Sequence, residues 1–517
     1  MRRPLAASAL ALVLASVGGR VAHAQFVTSG DKLSEASGQN VEEAKLIGRL
    51  YSTIGYYGEA ASGGNGMDAS PDALLWGDLR GRIEADHLSG SAWDVLGDFR
   101  LRFTPDADYL PKKDQLRGPG WAGGNEYDLH ELFVRYNTTS SAFSLGRLVL
   151  RDLDAMTVDG ASFAMRPSAS FEYGAAAGMF PNPYSRSLDT DYKLPAADAR
   201  SITGYPVAAG AWGGYRMAAF YGSFGLGFIA PRNSTMAVAE PVRTFLTARG
   251  YARASATVNF FHYGVVDFGG AAGTQLTNLQ VGGNWMATPE LRVELAYSHM
   301  STYAIETYLR DYLEAVPTPA AAGAPSNNLD VARMAADEGR VGADYAFIQE
   351  RADIFGQVRY RRRATIATAN LDPTVAGLAP DTQLDVSVGA RKKELVAGWD
   401  LGVNAAYIAG GRTKSFYGFL RGHRAFVQDT VDVDLDAGYV TYQDNCPAMG
   451  DDTCLGGAKG STIRVGGTVA FRQSENWLFV GDVHLGFKSS SFTVGTTETT
   501  RPNLFEQMAL LRAQYSF

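Results

Sequence analysis

The sequence predicts an all-β chain: a transmembrane antiparallel up-and-down β-barrel with an even strand number of about 18–22. Three observations predict it. Charged and apolar residues alternate with a period of two through most of the 517 residues. A leader-like segment precedes that pattern. Short polar turns then alternate with long irregular loops. A period of two is a strand period, because successive side chains leave a pleated backbone on opposite sides.

The leader comes first. Arg2 and Arg3 precede an apolar stretch from Leu5 to Val17, and Ala22-His23-Ala24 offers a small-residue cleavage site before Gln25. Residues 1–24 read as a secretory signal peptide. The apolar run is too short to span about 30 Å of hydrocarbon as an anchor. Residues 25–44 are expected to form a short periplasmic segment, and 45–517 the barrel with its long outer loops. No linker or change of composition divides the remainder.

The first barrel segments carry the clearest pattern. In "LLWGDLRGRIEADHLSGSAWDVLGDFRLRF" one face is Leu75, Leu79, Ile83, Trp93, Val95, Phe99, Leu101 and Phe103. The other face is Asp78, Arg80, Arg82, Glu84, Asp94, Asp98, Arg100 and Arg102. A hairpin turn centred on Ser89 would set Asp78 against Arg100 and Arg80 against Asp98. Such opposite charges contribute roughly 0.2–1 kcal/mol per pair.

The pattern continues to the end of the chain. Arg359 and Arg361 alternate with Ile354, Val358 and Tyr360 in "DIFGQVRYR". Asp432, Asp434 and Asp436 alternate with Val431, Val433 and Leu435 in "VDVDLDAGY". Arg464 opposes Ile463 and Val465, and Asp482 opposes Val483. Strand candidates centre near residues 51, 80, 98, 132, 146, 160, 175, 213, 227, 245, 260, 280, 296, 343, 357, 386, 402, 418, 436, 467, 482 and 511, with shallow alternation near 160 and 245. The turns "HLSGS", "NTTSS", "MATPE" and "RQSEN" fall on one side of this meander. Longer connections, such as 105–125, 180–205 and 302–337, fall on the other.

A soluble sheet buries its apolar face against another apolar face and keeps its polar face outside. Opposite charges crowded on one strand face suit an enclosed aqueous lumen, with the apolar face against lipid. In hydrocarbon every backbone N–H and C=O must be paired, so strands cross only as a closed barrel. All the charged residues named above are therefore expected to line the lumen. A soluble β-sandwich is the competing reading.

Other motifs weigh less. Cys446 and Cys454, in the outward-facing "DNCPAMGDDTC", are expected to form one local disulfide. No His or further Cys lies near enough in the sequence for a metal site. The calcium-loop start of "DVDLDAGYVTYQ" fails at Ala437 and Gln443, which stand where Gly and Glu are needed. "HELFV" has Val134 where HExxH needs His. No metal, cofactor or catalytic residue is assigned. "AIETYLRDYLEAV" reads as an amphipathic helix, and "LDVARMAADE" as a weak second one. This pair either covers itself at the surface or folds into the mouth of the barrel.

The full chain has 47 Lys+Arg and 54 Asp+Glu, a net −7; removing Arg2, Arg3 and Arg20 with the leader takes this to −10. That balance argues against nucleic acid, which calls for a basic face.

The last residues, "ALLRAQYSF", put Ala509, Leu511, Ala513, Tyr515 and Phe517 on one face and stop at Phe517. They resemble the C-terminal strand of bacterial outer-membrane β-barrels. That resemblance implies that Tyr515 and Phe517 are read by the β-barrel assembly machinery. The whole repetitive chain looks like porin-type barrels. "LGRLVLRDLDAMTVDG" is similar to the "GRQ…DG" strands of alginate-export-like porins, with Leu148 where Gln would stand, and no substrate is carried over. The expectation is an outer-membrane channel, in contact with outer-membrane lipid, for passive diffusion of small hydrophilic solutes. The alternative is a surface-exposed structural or binding barrel whose loops contact a ligand or a neighbouring cell. An embedded hydrolase would need a triad assembled in space.

Overall fold

A computed structural model describes residues 45–62, 72–103, 126–181, 192–193, 201–202, 207–230, 243–268, 274–301, 333–366, 381–411, 413–427, 430–444, 458–494, 497–500 and 502–517. Among these residues Thr497–Thr500 adds a short strand to Trp477–Val494, Tyr192–Lys193 pairs with Ser201–Ile202 apart from it, and twenty-two other antiparallel strands close into one barrel. They are β1 (Lys45–Ser62), β2 (Asp72–Asp86), β3 (Trp93–Phe103), β4 (Glu126–Asn137), β5 (Ser141–Leu150), β6 (Met156–Ser168), β7 (Phe171–Met179), β8 (Val207–Met217), β9 (Phe220–Ala230), β10 (Arg243–Arg253) and β11 (Val258–Phe268). The second half is β12 (Gln275–Met286), β13 (Leu291–Ser301), β14 (Arg333–Phe347), β15 (Ala352–Ile366), β16 (Asp381–Val396), β17 (Trp399–Gly410), β18 (Thr413–Phe426), β19 (Val431–Asp444), β20 (Ala458–Arg472), β21 (Trp477–Val494) and β22 (Asn503–Ser516). Each of the 22 expected centres falls inside one of these strands.

Closure is made by the two ends. β1 pairs with β22 from Arg49 opposite Ser516 to Ser62 opposite Asn503. Phe517 extends that seam: its backbone N–H donates to the Gly48 carbonyl at 3.0 Å, and the Gly48 N–H returns a bond at 2.9 Å. The Phe517 ring lies on Gly48, where any Cβ would collide with it. Tyr515 stacks between Trp477 and Phe517, at centroid distances of 4.8 and 5.7 Å. At this seam neither β1 nor β22 is left with an open edge, as a barrel in lipid requires.

The outer surface is apolar. Leu75, Trp93, Phe224, Leu295, Ile354, Val358, Tyr360, Leu435, Ile463, Val483 and Leu511 are all between 40% and 70% exposed. On the opposite parity, Asp94, Asp98, Arg147, Arg243, Arg249, Asp267 and Asp385 are 9% exposed or less. Soluble proteins show the reverse distribution.

Two expectations are corrected. The weak helix of "LDVARMAADE" does not form over its second half: residues from Arg333 onward begin β14 and pair with β13 and β15. Its apolar spacing also fits a strand, and ladder bonds on both sides outweigh a marginal helix. The hairpin register of β2 and β3 is also shifted. Partners sum to 180, not 178, so Asp78 faces Arg102, Arg80 faces Arg100 and Arg82 faces Asp98. The turn is a 3-10 segment, Leu88–Gly90, entered through His87 at φ 51°, with Gly90 at φ 74°. Gly90 adopts that left-handed backbone without steric cost, and the hairpin centres on it, not on Ser89. "AIETYLRDYLEAV", Cys446 and Cys454 lie outside the described residues.

Candidate functional site: the barrel interior

The interior has two unlike sides. On one side the ladder of β2–β4 solves its like-charge opposition diagonally. Arg80 and Arg100 face each other, and each turns to a carboxylate one rung away: Arg80 reaches Asp98 at 3.2 Å, and Arg100 reaches Asp78. Arg82 lies 3.8 Å from Asp98 and 3.9 Å from Glu131, and Arg102 lies 3.7 Å from Asp78. The expected partners therefore meet in the wrong register. Asp94, 3% exposed, accepts Arg135 at 2.9 Å and the His87 backbone N–H at 3.1 Å. Glu84 sits opposite Leu96.

The same construction continues around the wall. Arg361 donates to Glu338 at 2.7 Å, Arg391 to Asp353 at 2.8 Å, and Arg359 to Asp385 through Nε at 2.6 Å. Arg421 donates to Asp434 at 2.9 Å. Asp482 accepts Thr468 at 2.7 Å and lies 2.9 Å from His484, which is 3.7 Å from Asp436. Asp432 stands opposite Ala425 and Ala470, and Arg464 opposite Gly438 and Gly486. Neither has an ion-pair partner among the described residues. Cross-strand neutralisation keeps this side charged without a strong net field.

The other side is dry. β5 pairs with β4 only as far as Arg147, opposite Leu132, although β4 itself continues to Glu126 beside β3. β6 joins β7 only from Asp159 onward. Between these points Leu148–Leu150 and Met156–Val158 pair with each other alone. This hairpin leaves the wall and folds into the lumen. Its departure point is Gly146, at φ 137°, where a Cβ would strike the Leu132 carbonyl and the Phe133 backbone. Arg147, 6% exposed, clamps the base by a bidentate bond to Asp159 at 2.7 and 2.6 Å, and donates to the Leu129 carbonyl at 3.0 Å. The Gly-Arg and Asp-Gly of "LGRLVLRDLDAMTVDG" are thus the two sides of one clamp, with Gly146 directly opposite Gly160.

Beyond the clamp Leu148, Leu150, Leu153, Met156 and Val158 pack on Ala176, Phe180, Ala208, Ile229, Phe245 and Val265 of the inner wall. Gly210 and Gly225 leave space for the Leu153 side chain, and Gly225 also for the Asp152 carbonyl; a Cβ at either would overlap them. The tip is held by polar bonds. Arg249 Nη2 donates to Asp152 Oδ1 at 2.5 Å and to the Tyr221 hydroxyl at 3.0 Å. Arg243 Nη2 donates to Asp154 Oδ2 at 3.3 Å, and Tyr263 donates to Asp154. Thr247 bonds the Asp152 carbonyl at 2.5 Å.

Three comparisons bear on this barrel. No family model matches the chain, and no curated protein matches it. Among solved structures it is similar in fold to Acinetobacter baumannii OccAB1, at TM-score 0.41 and 9% identity, covering 93% of this chain and 100% of that one. Acinetobacter baumannii OccAB2 gives 0.43 and 11% over 92% and 98%, and Pseudomonas aeruginosa OpdQ 0.41 and 9% over 91% and 98%. These values are too low to bring any activity across. The barrel's own geometry has to carry the function.

The inward hairpin went unseen in the sequence, although its signals are present. Leu148-Val149-Leu150 is apolar at three consecutive positions, which breaks the alternation of a wall strand. The inner faces of β8 and β9 carry Ala208, Gly210, Trp212, Gly225, Gly227 and Ile229 where other strands carry charge.

Proposed function

We propose that the protein is an outer-membrane channel through which small hydrophilic solutes diffuse, with no chemistry performed on them. One observation carries this reading: a closed 22-strand barrel that is apolar outside and lined inside by paired Arg and Asp/Glu side chains. Closure and the apolar belt fit hydrocarbon, while the charged inner side fits water. A barrel of this strand number has room for a water-filled interior beside a partial plug. The leader at residues 1–24 would deliver the chain across the inner membrane, and Tyr515 and Phe517 would present its last strand to the assembly machinery.

Purified, refolded protein in a planar lipid bilayer tests the proposal. Stable stepwise conductance is expected. A heat-modifiable, fully inserted barrel that stays silent would overturn it and favour a surface binding barrel.

A further inference from the structure

The outward face of β18–β21 changes chemistry in three steps toward the end of the barrel that lies away from Phe517. Gly418, Tyr439, Ile463 and Phe487 are direct neighbours across the four strands, and the last three are exposed. Two residues further along, the neighbours are Phe416, Thr441, Ser461 and Ser489, with the two serine hydroxyls 3.4 Å apart. Two residues beyond those they are Lys414, Gln443, Lys459 and Ser491. A pleated strand repeats its face at every second residue, so all three rows point away from the lumen.

The last row holds donors for an anion. Lys414 has no ion-pair partner among the described residues, and both it and Gln443 are exposed. Lys459, 59% exposed, gives one bond to Glu498 at 2.8 Å, although an ammonium has three to give. Glu498, on the short strand Thr497–Thr500, also accepts the Ser491 hydroxyl at 2.7 Å and closes one edge of the row. Adjacent strands lie about 5 Å apart, so Lys414 and Lys459, on either side of β19, can reach one group between them.

Two contrasts show that this row is local. Among the described residues of β7–β11 the outward face reaches the same end through Met179, Val207, Phe228 and Phe268, with no Lys or Arg. On β13–β15 the outward charges answer one another: Asp337 accepts the Tyr297 hydroxyl at 2.8 Å, lies 2.8 Å from His299 and stands opposite Arg362.

We infer that the outward face of β18–β21 docks the phosphorylated headgroup of a glycolipid in the outer leaflet. Lys414 and Lys459 take phosphate, Gln443 and the hydroxyls of Thr441, Ser461 and Ser489 meet sugar hydroxyls, and acyl chains lie on Tyr439, Ile463 and Phe487. The order of the rows chooses this occupant, because apolar, hydroxyl and cationic surface follow one another as acyl chain, sugar and phosphate do. The inference rests on the outer-membrane placement above and is independent of conduction.

The test titrates refolded full-length protein in a non-ionic detergent with diphosphoryl lipid A, counting bound lipid by native mass spectrometry. Saturable binding is expected. Lys414→Gln with Lys459→Gln should weaken it roughly thirtyfold, about 2 kcal/mol at about 1 kcal/mol per cation. Lys392→Gln, at an outward position near the opposite end, should not change it. Wild-type binding in the double variant, or an equal loss in Lys392→Gln, overturns the site. Equally tight binding of phosphatidylglycerol, or displacement by an equal concentration of inorganic phosphate, overturns the glycolipid as its occupant. Glu498→Gln removes the one carboxylate beside the row and should tighten binding. If the lysine variant does not assemble, this variant decides: unchanged or weaker binding overturns the inference. A barrel that binds but conducts nothing overturns only the channel reading.

Discussion

The inner face of β2–β4 and the inner face of β8–β10 point into the same lumen, yet they are built from opposite materials. The first carries Arg80, Arg82, Asp94, Asp98 and Arg100, tied into diagonal and directly opposed pairs. The second carries Ala208, Gly210, Gly225, Ile229 and Phe245, covered by Leu153 and its neighbours. An inward strand face therefore reports what covers it. On β2–β4 the half-exposed arginines Arg80 and Arg82 face open space, whereas on β8–β10 glycine and aliphatic side chains, with Arg243 and Arg249 bound to the hairpin tip, face protein. A barrel can keep a small hydrophobic core on one side of an aqueous lumen, provided a segment of its own wall supplies the second layer.

The largest effect should come from the clamp at the base of the dry side. Arg147→Ala leaves Asp159 without its buried partner, at a cost of about 3–5 kcal/mol. The denaturant midpoint of the assembled barrel should fall steeply. A midpoint within error of wild type would mean that the hairpin is not anchored there. Leu153→Ala empties the centre of the dry core and should cost about 2–5 kcal/mol, read in the same titration. An equivalent truncation on the charged side, such as Arg82→Ala, should cost far less, because Arg82 is half-exposed and its pairs are long.

The outer face gives the next effect. Leu79→Arg places a charge against lipid and should cost about 2–4 kcal/mol if it lies near the bilayer midplane. It should reduce the heat-modifiable form on gels, while Arg80→Leu assembles normally. Equal assembly of the two would mean that the inside and outside of β2 are exchanged.

These contrasts also show what was legible in the chain. Strand positions were readable because alternation is local: each inner charge beside an outer aliphatic residue declares its own pleat. Register was not, because one residue in the turn decides it. Gly90, not Ser89, sits at the centre, and both positions look equally turn-like in "HLSGS". The weak helix before β14 was misread because "VARMAADE" fits both periods, and only its neighbours β13 and β15 choose between them. The inward hairpin needed a spatial fact, namely that Leu153 meets glycines 57 and 72 residues further on. "LGRLVLRDLDAMTVDG" was legible as a motif and illegible as a clamp.

The smallest effect concerns the diagonal ladder. Asp78→Arg should destabilise by roughly 0.2–1 kcal/mol, since it leaves Arg100 and Arg102 facing a third cation. Arg100→Asp added to it should restore most of that loss. Additive losses in the double variant would show that Asp78 and Arg100 do not interact.

The account depends most on the division of one interior into a wet and a dry side, and single-cysteine accessibility measures that division. Cys446 and Cys454 would first be replaced by Ser. Cysteines at Arg82, Arg359 and Asp434 should then react quickly with a small, charged thiol reagent in assembled barrels. Cysteines at Ala208 and Ile229, both at most 1% exposed, should resist it until the barrel is unfolded. Equal labelling of all five positions, or protection of the three charged ones, would contradict the account.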